Sequence, residues 1–140
     1  MFIKRNSQAV VNVAFNGLLQ DSPIEPSKAP LFLDFRAESL KKQALEPIKE
    51  MEEMRGKDIP EEAILDKIVE RLKGNRTYNG LFQKAFGPQN SVSIENLGKA
   101  LATYQRTIVA NNSRFDKYLR GDETALSFNE IEGMKTFGKS

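Results

Sequence analysis

Residues 58–88 read DIPEEAILDKIVERLKGNRTYNGLFQKAFGP. Ile64, Leu65, Ile68, Val69 and Leu72 recur there at the three-and-four spacing that gathers apolar side chains on one face of an α-helix. Asp58 is placed to cap this helix with Pro60 in its first turn, and Gly74 stops it. Asn75 begins a shorter helix carrying Tyr78, Leu81, Phe82, Ala85 and Phe86, closed by Gly87-Pro88. Two helices joined by so short a link point to an all-α architecture.

The pattern continues on both sides. Towards the C-terminus, Ser93 caps the longest helix, where Ile94, Leu97, Leu101, Tyr104 and Ile108 alternate steps of three and four. Asn111-Asn112-Ser113 interrupts it, a short helix with Phe115, Tyr118 and Leu119 ends at Gly121, and Ser127 with Glu130 forms a capping box for a last helix through Phe137. Tyr104, Phe115 and Tyr118 read as core. Towards the N-terminus, Leu40, Ala44, Ile48 and Met51 predict a helix from Ser39 to about Met54 with a kink at Pro47.

Residues 5–20, RNSQAVVNVAFNGLLQ, fit neither period and read as loop with a turn or two of helix. Pro23, Pro26 and Pro30 then keep residues 21–35 extended, and the apolar LFLDF at 31–35 argues for burial of that end. The expectation is five to six helices over 37–140, a loop-rich stretch over 1–36, no sheet, and one helical domain or fragment across 1–140.

Composition excludes several functions. The 21 basic and 19 acidic residues are mixed along the chain and leave a net charge of +2, so no field steers it to nucleic acid or an anionic membrane. No cysteine is present, which removes disulfides, thiolate metal sites and thiol nucleophiles, and no histidine, which removes the commonest transition-metal ligand and the usual neutral-pH base. Chemistry therefore falls to carboxylates. No apolar run reaches the roughly 18 residues a membrane span needs, and MFIKR is too short and too soon polar for a signal peptide.

In order, RNSQAVVNVAFN, PLFLDFRAESLKKQALEPI, the Glu53-Met54 pair, NLGKALATYQRTIVANNSRFDKYLRGD and ALSFNEIEGMKTFGKS resemble successive blocks of the bacterial di-haem cytochrome c peroxidase family, which includes the methylamine-utilisation haem enzymes. The resemblance spans nearly the whole chain and implies the cytochrome c-like helical segment between the two haem domains. In that family each of two c-type haems is attached through Cys-x-x-Cys-His, and both motifs would fall outside residues 1–140. The expected reading is a fragment, inactive on its own, of a protein that reduces hydrogen peroxide to water.

The same resemblance assigns residues. Glu53 matches the glutamate over the peroxide-binding face of the N-terminal haem, with Met54 beside it; from the residues alone, Glu50, Glu52 and Glu53 are a solvated helix end. Asn6 matches a position that helps to bind calcium between the haem domains, although one amide is far short of the six to eight oxygens calcium takes, and an asparagine capping a turn is the plainer reading. Leu33 stands where many members carry tryptophan between the haems, in a Phe-Trp-Asp-Gly-Arg-Ala block that here reads FLDFRA, so Phe35 replaces the glycine. Asp34 and Arg36 read as an ion pair or helix caps. Arg106, Asn112, Arg114 and Asp116 are candidates for haem propionates, Arg114 foremost as cofactor contact, against a polar turn that holds the domain together.

The family further implies haem c as cofactor and an electron-donor cytochrome c or cupredoxin as partner. It also implies a periplasmic location and a possible homodimer. The rival is a non-enzymatic helical interaction module or gene remnant without haem. On the fragment reading, apolar residues that would pack against porphyrin and the haem domains, such as Phe32, Leu33, Ile48 and Met51, should stand exposed or rearranged in this chain.

Overall fold

A computed structural model describes residues 9–16, 25 and 29–138. Seven α-helices and no strand are present among the described residues: α1 (Leu40–Gln43), α2 (Glu46–Lys49), α3 (Glu61–Gly74), α4 (Arg76–Phe86), α5 (Ile94–Thr107), α6 (Arg114–Leu119) and α7 (Phe128–Phe137). They fall into two compact units, Met1–Ile108 and Val109–Ser140.

The apolar stripe of α3 does what its spacing predicts. Ile64 and Val69 are buried, and with Ile48, Phe82, Val92 and Leu97 they form the core, flanked by half-buried Leu65, Ile68 and Leu72. Asn75 makes the α3–α4 reversal in one residue. Its N–H bonds the carbonyls of Arg71 and Leu72, while its side-chain oxygen accepts from the N–H groups of Thr77 and Tyr78 at 3.0 and 3.2 Å. One asparagine thus ends one helix and starts the next. Phe82 and Phe86 then turn inward with ring centroids 5.7 Å apart. Ser93 caps α5 by accepting from the Asn96 N–H at 3.2 Å, and Gly87 (φ 88) closes α4.

Burying such side chains contributes about 1.5–3 kcal/mol each. The exposed helix pair Glu95–Lys99 is of a kind that contributes roughly 0.3–0.5 kcal/mol. Packing, not charge, holds this unit.

Three expectations fail here, each for a local reason. The helix predicted over Ser39–Met54 is three pieces: α1, α2 and a π-helical turn at Met51–Arg55. Pro47 sits in the first turn of α2, where its missing N–H costs nothing, but it offers no donor to Gln43 and so bars α1 from running on. Asp58 does not cap α3. Pro60 itself takes the cap position in an extended conformation (φ −59, ψ 148), and the helix starts at Glu61 with no side-chain cap. Ile48, expected exposed or rearranged, is not exposed: it is a core residue because α2 packs on α3.

Tyr104 is also no core residue. It is 67% exposed, since α1, α3 and a 3₁₀ turn at Val13–Phe15 cover α5 over Leu97, Gly98 and Ala102 instead. That 3₁₀ turn is tied to the end of α5 by the Asn12 N–H bonding the Ile108 carbonyl at 2.9 Å.

The second unit has no buried residue among those described. Phe115 is exposed and Tyr118 half-buried, because α6 is too short to cover its own apolar face. Capping chemistry takes the place of a core. Ser113 and Asp116 form a capping box on α6, and Ser127 and Glu130 form the expected one on α7.

The tightest helix contact lies where α1 meets α5 at Gly98. A Cβ there would stand 2.9 Å from the Lys41 carbonyl oxygen, whereas a Cβ on Gly80, inside α4, would meet nothing within 4 Å. Gly98→Ala should lower the unfolding free energy by about 1–3 kcal/mol. Gly80→Ala should raise it by roughly 0.8–1 kcal/mol, and urea titration of both variants separates the two signs.

Candidate functional site

Glu53 and Met54 stand on the π-helical turn between α2 and α3. Glu50 leaves helical geometry (φ −71, ψ 126) directly after α2, and its carbonyl then accepts from three N–H groups, those of Glu53, Met54 and Arg55, at 3.2, 3.2 and 3.1 Å. The wide ring repeats once, with the Gly56 N–H bonding the Met51 carbonyl at 3.2 Å. Gly56 ends it at φ 72, ψ −170, a conformation essentially reserved for glycine. Single π turns are rare and concentrate at functional sites.

Met51, Glu53 and Met54 are exposed on this turn. A carboxylate acting as acid and base at neutral pH depends on partial burial to favour its protonated form. Among the described residues nothing encloses Glu53, which stands exposed on the turn.

Leu33 lies on a separate element, a tight loop closed by the Leu31–Ala37 bridge, in which the Leu31 N–H bonds the Ala37 carbonyl at 2.7 Å. Phe32 and Phe35 are both left-handed, at φ 68 and φ 55. The Arg36 guanidinium lies 3.6 Å from the Phe32 ring centroid and donates to both Asp34 oxygens at 3.1 Å. Asp34 and Arg36 are therefore the ion pair expected of them. Desolvation, the largest single influence, raises the Asp34 carboxyl, but bonds to the Arg36 backbone and side chain and its charge together outweigh it and hold the carboxyl below the usual range. The burial expected for LFLDF does not occur. The double left-handed turn directs Leu33 (93% exposed) and Phe35 (68% exposed) outward.

Arg114 belongs to the second unit, and its guanidinium is occupied. It forms a fork on Glu130 at 2.8 and 2.6 Å and donates from Nε to the Ala125 carbonyl at 3.0 Å. Asp116 is engaged by the α6 capping box. Arg106, half-buried in the last turn of α5, lines a cavity of about 20 Å³ with Asn16 and Leu40. Asn112 is exposed, and Asn6 lies outside the described residues. Glu53 and Met54 thus share one turn, while Leu33 and Arg114 sit on other elements.

The order of the sequence blocks agrees with the comparisons. Residues 1–124 match the di-haem cytochrome c peroxidase family. The chain belongs to that family. It is 38% identical over 104 residues to the methylamine utilization protein MauG of Methylorubrum extorquens, covering 74% of this chain and 28% of that protein. It is 37% identical over 106 residues to the cytochrome c551 peroxidase of Nitrosomonas europaea, covering 76% and 29%. With the cytochrome c551 peroxidase of Pseudomonas aeruginosa, identity is 35% over 134 residues, covering 95% and 33%. The chain spans about a third or less of the length of these relatives.

Membership in the di-haem peroxidase family implies haem c and, in general terms, a redox partner. These 140 residues offer no cysteine for the thioether bonds of a haem c and no imidazole for its iron. No helix among the described residues is long and apolar enough to cross a membrane.

Two outcomes follow from this geometry. Phe35→Gly should stabilise the chain by about 1 kcal/mol, because it removes a left-handed penalty of roughly 1–2 kcal/mol and exposes no packed surface; thermal melts against Phe32→Gly, which also loses the Arg36 stack, isolate the backbone contribution. Glu130 is held down to about 2 from an ordinary 4.5, first by the Ser127 N–H, then by its hydroxyl and by Arg114. Its folded value is depressed, so its contribution is complete above 4.5 and fades as pH falls towards 2. Acid titration of the α7 amide signals by NMR should show this step, and Glu130→Gln should abolish it.

Proposed function

We propose that this chain is the helical part between the haems of a periplasmic di-haem peroxidase, in which Glu53 moves the protons while hydrogen peroxide is reduced to water. What supports the reading is the family match across residues 1–124, together with the exposure of Glu53, the glutamate that the resemblance assigns, on a π turn. Overall, peroxide takes up two electrons and two protons and leaves as two waters. Glu53 accepts the proton from one peroxide oxygen and delivers it to the other, departing oxygen, a positioned acid–base role of the kind that contributes about 10²–10⁴-fold.

Bound haem would supply the electrons for O–O cleavage. Leu33 and Met54 present apolar surface to such a group. Arg114 reaches a propionate only by giving up Glu130, so its first role is to join the start of α6 to α7. Asn6 would contribute one oxygen to a calcium ion whose other ligands lie elsewhere in the protein. The electron donor is a small cytochrome c or cupredoxin, and the whole protein pairs as a homodimer. With Leu33 in place of tryptophan, electron passage at that point has no indole to use. We read residues 1–140 as one segment of the larger protein.

In the haem-bearing protein that contains this segment, Glu53→Gln should lower peroxide turnover about 10²–10⁴-fold with the haem spectrum unchanged. Undiminished turnover would remove Glu53 from the mechanism. The 140-residue chain mixed with hemin should reduce peroxide no faster than hemin alone; a faster rate would favour a self-sufficient haem binder.

A further inference from the structure

Arg55 occupies the last position of the π turn, and its side chain does not join the acidic residues around it. Nε donates to the Lys49 carbonyl and Nη1 to the Ile59 carbonyl, both at 2.7 Å. Lys49 is the last residue of α2, where carbonyls lack an intrahelical partner, and Ile59 precedes Pro60 in extended chain. One half-buried guanidinium therefore satisfies two orphan carbonyls and ties the end of α2 to the start of α3 across the base of the loop that carries Glu53.

We infer that Arg55 is the positioning residue of this turn: by bridging the Lys49 and Ile59 carbonyls it fixes where Glu53 and Met54 stand. The geometry supports the assignment from three sides. Both bonds are short, as charge-assisted bonds are. The backbone of the turn cannot hold itself, because three N–H groups share the single Glu50 carbonyl and α2 supplies only four residues beneath it. Gly56 cannot stiffen the exit, since its left-handed φ comes with the freest backbone of any residue. A lysine here would be a point donor on a flexible stem and could reach one carbonyl at a time. The acid–base role of Glu53 is the reading on which the functional side of this inference rests.

The test uses the 140-residue chain and two variants, Arg55→Met and Arg55→Lys, with residue-resolved amide hydrogen exchange. Loss of both bridges should speed exchange at Glu53, Met54, Arg55 and Gly56 about 10-fold or more, while the amides of α3 and α5 keep their rates, and lysine should recover part of the protection. Unchanged exchange in the turn would overturn the inference. So would equal acceleration across α3, α5 and the turn, which is the mark of a residue that only stabilises the fold. In the haem-bearing protein, Arg55→Met should lower kcat with KM for peroxide unchanged, and Arg55→Lys should restore part of it. Glu53→Gln separates the two readings, for it should leave amide exchange in the turn untouched. If that variant keeps full turnover, the acid–base role falls while the bridge stands.

Discussion

Burial of Ile48 is the contact on which the candidate site depends. The single turn of α2 is far below the length at which a helix forms alone in water. It exists because Ile48 is drawn into the same cluster as Ile64, Val69, Phe82, Val92 and Leu97. The cap of the π turn, Glu50, lies two residues on from Ile48, so the position of Glu53 is inherited from a core contact five residues upstream. From the other side, α3 is anchored by Ile64 and Val69, and Arg55 spans the gap between these two fixed ends. The carboxylate is thus held by the core through backbone carbonyls rather than by a charged partner of its own.

This arrangement explains which parts of the molecule are legible in the amino-acid sequence. Helices α3, α4 and α5 are, because each carries an apolar stripe that packs into the core, even though the start of α3 and the Tyr104 end of α5 depart from the local pattern. The capping box at Ser127 and Glu130 is legible for the same reason, since its bonds lie within four residues. Residues 39–55 are not. Leu40, Ala44, Ile48 and Met51 satisfy a helical period, yet Pro47 withholds a donor and Glu50 turns extended, so the same apolar set is delivered by two short helices and a wider turn. Nothing in the spacing of MEEMRG distinguishes a π turn from an α-helical end; only the pairing of Arg55 with Gly56, between two prolines, hints that the chain must close a loop there. Departures from local rules at such a place are what functional sites display.

The second unit follows a different logic. With no buried residue among those described, its order comes from reciprocal caps and from one arginine fork. Exposed charge pairs contribute little singly, but Glu130 here serves Ser127 and Arg114 at once, so the same carboxylate starts α7 and ties it to α6. That double use is not visible in the sequence, where Arg114 reads either as a propionate contact or as part of a polar turn that holds the domain together. Arg114 lies sixteen residues from its partner, beyond the reach of any local motif.

The loop at 31–37 shows how a change of residue type can keep a shape and alter its chemistry. Its backbone still makes the turn that a glycine at position 35 would favour, with Phe35 forced to φ 55 and the Leu31–Ala37 bridge closing the ends. The strain is tolerated because Asp34 and Arg36 lock the turn from within and the Arg36 guanidinium lies over Phe32. What the loop presents has changed: an aliphatic side chain at Leu33 and an aromatic one two residues on, both pointing away from the helices. A surface of this kind suits packing against a flat apolar partner. It cannot carry charge at Leu33, since a saturated side chain has no accessible oxidised state. The loop thus keeps a turn closed by the Leu31–Ala37 bridge while offering no aromatic group at position 33.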